Sequence, residues 1–67
     1  MNIDIRESIK NNFKNSSLDE INESITSSIL EGDEIVLPGL GVFFEILWNN
    51  SSNEKKDYIL NTIKNNI

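Results

Sequence analysis

Apolar residues recur along this chain at helical spacing in three places. Ile5, Ile9 and Phe13 fall at i, i+4, i+8. Leu18, Ile21, Ile25 and Ile29 fall at i, i+3, i+7, i+11, and Ile59, Ile63 and Ile67 repeat the first spacing with Leu60 beside them. Each set marks the buried stripe of an amphipathic helix. A start signal precedes each: an oxygen-bearing side chain, then Glu three residues on, the spacing of a capping box. These are Asp4-x-x-Glu7, Ser17-x-x-Glu20 and Ser51-x-x-Glu54. Asn15-Ser16-Ser17 closes the first stripe, and Gly32 follows the second where a C-terminal glycine belongs. The pattern predicts helices over about residues 4–14, 18–31 and 52–66.

Residues 37–48 break the pattern. Leu37-Pro38-Gly39-Leu40-Gly41-Val42-Phe43-Phe44-Glu45-Ile46-Leu47-Trp48 holds two of the three Phe, the only Trp, the only Pro and two of the three Gly, with Glu45 as its one charge. Two readings compete. As a hairpin over 35–47, Ile35-Val36-Leu37 and residues 42–47 would flank a Pro38-Gly39-Leu40-Gly41 turn, and the β-branched and aromatic content suits strands. A half-buried strand should alternate, however, and this run does not. As a helix, Glu45, Asn49 and Ser52 make one narrow polar stripe and the remaining circumference is apolar, as in a buried helix. Pro38 fits its first turn. Gly39 and Gly41 each cost up to about 1 kcal/mol there, which a closely approaching backbone would offset.

The helical reading is favoured. It predicts an all-α fold, a small four-helix single domain spanning 1–67. Its centre, or a self-association surface, would be Leu37, Pro38, Gly39, Leu40, Gly41, Val42, Phe43, Phe44, Ile46, Leu47 and Trp48. Trp48→Ala would then cost about 3–5 kcal/mol as a core deletion. The alternative is α+β: two helices, the hairpin at 35–47 and a C-terminal helix. Asn49 to Asn53 reads as a helix–helix loop, and Glu31-Gly32-Asp33-Glu34 as the exposed tip.

Size and charge narrow the picture. A chain of 67 residues buries only about 60% of its unfolded surface. With no Cys and no His, neither disulfides nor an ordinary transition-metal site can add stability. The 11 carboxylates do not follow a calcium-loop spacing, so no cofactor is expected. Oligomerisation remains as a source of buried area, and a homodimer is the economical form. The polar, acidic start Met1-Asn2-Ile3-Asp4 is unlike a signal peptide. No apolar run reaches the roughly 18 residues of a membrane span. A cytoplasmic protein is expected.

Chemistry is scarce. Ser is plentiful, but without His nothing stands ready to activate it as a nucleophile. The pairs Asp19/Glu23 and Glu20/Glu23 read as a solvated helix face. Gly39-Leu40-Gly41 is too short to cradle a phosphate, and no phosphate-loop motif occurs. No enzyme and no small-molecule substrate are expected. Arg6, Lys10 and Lys14 form one stripe carrying half of the six basic residues. That stripe is the candidate for weak phosphate contacts. A net charge of −5 argues against dedicated DNA binding, which depends on Lys and Arg displacing counterions.

The twelve residues 37–48 closely resemble the signature of the small acid-soluble spore protein I family of endospore-forming Firmicutes. The acidic turn before them, the Ser-Ser-x-Glu-Lys segment after them and the Ile-rich second helix extend the resemblance over the chain. It implies a non-enzymatic protein made in the forespore and held in the spore core, unrelated to the abundant DNA-coating spore proteins. It brings no assigned functional residues. A second resemblance is to the body of HU-type histone-like proteins, where two helices lead into a β-hairpin through a Gly-Asp turn. This chain has no basic arms and is acidic, so that likeness implies a dimerising body without a grip on DNA.

Overall fold

A computed structural model describes residues 4–67. Four helices follow one another: α1 (Ile5–Phe13), α2 (Leu18–Glu31), α3 (Leu37–Asn49) and α4 (Asn53–Lys64), with a 3-10 turn at Glu34–Val36 leading directly into α3. The chain is all-α, and no strand occurs among the described residues.

The caps explain where the helices begin. Asp4 accepts hydrogen bonds from the backbone of Arg6 and Glu7. Ser17 and Glu20 form the full reciprocal capping box. Gly32 adopts φ 66°, the left-handed conformation that ends α2, and its N–H donates to Ser28 O at 3.2 Å. Asp33 then accepts from Ile35 N at 3.1 Å and turns the chain into the 3-10 element.

The hairpin alternative over 35–47 is replaced by this 3-10 turn and helix. Pro38 sits in the first turn of α3, where its missing N–H leaves no bond unmade. The polar stripe is shorter than the sequence suggested, because α3 ends at Asn49 and Ser52 lies outside it.

The third cap shifts by one residue. Ser52, not Ser51, caps α4, accepting from Lys55 N at 3.3 Å. Ser51 instead turns its hydroxyl back to donate to Leu47 O, and Asn50 Nδ2 donates to Ile46 O at 2.8 Å. Two carbonyls left open by the end of α3 thus find side-chain donors. Glu54 falls at the second helical position and closes no box.

Packing centres on α3. It rests chiefly on α1, where Phe13 and Phe43 meet edge-to-face with centroids 5.1 Å apart. A Cβ built on Gly39 would sit 3.5 Å from Ile9 Cδ1, so α1 and α3 approach closely at that glycine. Val42 is the one buried hydrophobic residue among those described, 6% exposed. The Cα radius of gyration is 13.2 Å, against about 11 Å for a compact domain of this length. The helices therefore enclose less than a closed four-helix bundle would.

Candidate interaction surface

α3 is apolar almost all round, and the structure divides its circumference. Gly39, Val42, Phe43 and Ile46 fall on the arc toward α1. Leu37, Leu40, Phe44 and Leu47 fall on the next arc, farther from α1, at the spacing expected of one helix face; Leu40 and Leu47 still line grooves shared with Ile9 and Phe13 of α1. On that far arc Leu37 is 58%, Phe44 43% and Leu47 50% exposed, while Leu40 is half-buried. Trp48 lies at the edge of this arc. Its ring stacks on Phe44 with centroids 6.0 Å apart, and Lys56 Nζ stands 5.2 Å from its centroid.

Two open grooves border the arc. On one side Ile9 and Phe13 of α1 and Ile21 and Ile25 of α2 line, with Phe43, Ile46 and Leu47, a groove of about 410 Å³. On the other, Leu60 of α4 joins Phe44 and Trp48 around a groove of about 360 Å³. Of the eleven residues singled out from the sequence, Val42 is buried while Leu37, Phe44, Ile46 and Leu47 are exposed.

The basic stripe is placed differently from a free phosphate patch. Arg6 Nε donates to Glu45 Oε1 at 2.8 Å and Arg6 Nη2 to Glu45 Oε2 at 2.9 Å, a bidentate pair between α1 and α3. This is the fork geometry that makes Arg–carboxylate pairs specific. Lys10 lines the same polar groove as Arg6, Glu45 and Asn49. Lys14 is exposed at the end of α1. Sequence reading missed this ion pair. Its signal was the isolation of Glu45 as the single charge of α3, which left a carboxylate in need of a cation.

Hydrogen bonding from Arg6, more than its charge or that of Lys10, holds the Glu45 carboxyl below the usual carboxylate range and raises the Arg6 guanidinium. The sign follows. A carboxyl depressed in the fold contributes stability above its unfolded pKa and loses it as pH falls through the depressed value. Thermal unfolding should therefore show the α1–α3 contact weakening in acid, and Glu45→Gln should flatten that dependence. A pH profile unchanged by the substitution would remove the pair from any account of stability. Both partners are substantially exposed, 67% and 44%, so the effect is small and falls with added salt.

No cluster of three or more His, Cys, Asp or Glu suited to a metal ion occurs among the described residues. Among the described residues no helix is long and apolar enough to cross a membrane. What the surface offers is apolar contact area.

The family model described as "Small, acid-soluble spore protein I" matches residues 3–67. A protein of that name from Geobacillus kaustophilus is 36% identical over 64 residues, covering 96% of this chain and 93% of its own. Its counterpart in Halalkalibacterium halodurans is 38% identical over 63 residues, covering 94% and 93%. One from Bacillus cereus is 36% identical over 64 residues, covering 96% and 93%. No solved structure matches the chain.

Proposed function

The chain belongs to the small acid-soluble spore protein I family, and on that premise we propose that it serves the spore core as a non-enzymatic structural or protein-interaction component made in the forespore. One observation carries this reading. The far arc of α3 exposes Leu37, Phe44 and Leu47, and a contiguous exposed apolar surface marks a contact site.

A fluorescent fusion expressed from the native promoter tests the placement. Signal should arise in the forespore and persist in the core of the finished spore. Constitutive signal in vegetative cells would overturn it.

The rival role, DNA association through Arg6, Lys10 and Lys14, has less to work with. Arg6 is held by Glu45, which leaves two lysines on a chain of net charge −5. A fluorescence-anisotropy titration at low salt should show no DNA binding at tens of micromolar protein. Binding that the triple alanine variant abolishes would favour the rival instead, since phosphate contacts are the electrostatic component of DNA affinity.

A further inference from the structure

We propose that α3 pairs with α3 of a second copy of this chain, through Leu37, Leu40, Phe44 and Leu47. This pairing rests on the interaction role proposed above and names its partner.

The spacing is the first ground. These four residues are separated by three, four and three positions, the alternation of a and d sites in a coiled-coil seam. Such a seam supplies both knobs and holes, so one copy can complement another about a two-fold axis. The arc carries no charge. Glu45, the sole charge of α3, is turned to Arg6 on the other side. A partner recognised by opposite charge would find nothing here to read.

Exposed area is the second ground. The chain exposes 5910 Å². A folded monomer of 7.6 kDa exposes about 4,300 Å². The surplus exceeds the roughly 800 Å² that each partner buries in a stable interface. α3 alone, at 13 residues, runs about 20 Å and is too short to account for such an interface. Leu60 on α4, 52% exposed and sharing a groove with Phe44 and Trp48, can extend it.

Gly41 is the third. It lies one turn after Leu37, on the flank of the seam that borders the groove of Ile5, Arg6 and Glu45. Contact with α1 accounts for Gly39, but a Cβ built on Gly41 meets nothing within 4 Å. Glycine inside a helix is less favourable than alanine, and no contact within the chain explains it here. A second backbone closing on that flank does.

Sedimentation velocity on the full chain, from micromolar to millimolar protein, reads the result. The chain should move from 7.6 kDa to twice that mass with rising concentration. Added salt should favour the dimer by screening two copies of charge −5 from each other. Leu37→Glu should weaken dimerisation by about 100-fold or more, because it buries an uncompensated charge in the pair. An acidic residue in the first turn of α3 suits the helix dipole, so circular dichroism of the monomer should be unchanged. Gly41→Ala should raise the melting temperature of the dilute monomer and weaken pairing. This second variant decides the matter if the first fails to fold. Leu18→Glu, on an 85% exposed residue of α2, should leave pairing intact.

A monomer across the whole range overturns the proposal. So does a dimer that neither Leu37→Glu nor Gly41→Ala disturbs. Either result refutes the pairing alone; the spore role stands or falls on the promoter fusion.

Discussion

Val42→Asp is expected to abolish the helical circular dichroism of the chain at room temperature. A domain of 67 residues has a total stability of roughly 3–10 kcal/mol. Val42 is its buried hydrophobic residue, on the arc of α3 that faces α1. A carboxylate at this buried position loses the valine's apolar contacts and must be desolvated, a cost of several kcal/mol where it finds no partner. Arg6 and Lys10 line the groove beside Val42, but Arg6 already gives both hydrogen bonds to Glu45, so a new acid would compete with Glu45 for the nearer cation. Val42→Ala, which removes two methyl groups, should fold with a loss of about 2 kcal/mol. Urea unfolding measures both. A Val42→Asp chain with an unshifted midpoint would mean that the α1–α3 contact does not hold the fold together.

Phe43→Ala should cost about 3 kcal/mol or more, and Trp48→Ala roughly half as much. The sequence assigns Trp48→Ala about 3–5 kcal/mol as a core deletion. The structure supplies a reason for a smaller loss there than at Phe43. Phe43 joins separate elements: its ring meets Phe13 of α1, and it shares a groove with Ile21 and Ile25 of α2. Trp48 stacks on Phe44 of its own helix, an i,i+4 neighbour relation worth only a few tenths of a kcal/mol. The ammonium of Lys56 over its ring adds about 0.5–1 kcal/mol at an accessible site. Denaturant unfolding of both variants at low protein concentration gives the comparison. A Trp48→Ala loss equal to or above that of Phe43→Ala would place the centre of packing at the C-terminal end of α3.

The helices were legible because their signals are local. Asp4, Ser17 and Gly32 act within one helical turn of themselves, so spacing alone locates them. Residues 35–47 were harder because Val42, Phe43, Phe44 and Ile46 favour strands by side-chain type. Pro38 and the lone position of Glu45 were what tipped the balance to a helix. Ser51 reads as the cap because Glu54 completes the box spacing, but Ser52 beside it is an equally competent cap and takes the position. The choice between them depends on where α3 leaves its last carbonyls. The Arg6–Glu45 pair spans 39 positions, beyond any periodic pattern. Periodicity also shows that a face is apolar without showing whether another element covers it. That is why residues 37–48 read as either a centre of packing or a self-association surface, with no way to separate the buried Val42 from the exposed Leu37, Phe44 and Leu47.

The dependence of this fold on neighbouring turns also sets its tempo. Apart from the crossing of α1 and α3, its structure is built from caps, turns and helical bonds between residues close in sequence. Chains with so few distant pairings to search for cross their folding barrier in microseconds to milliseconds. Newly made copies would thus reach their final shape well before the ribosome that made them finished another.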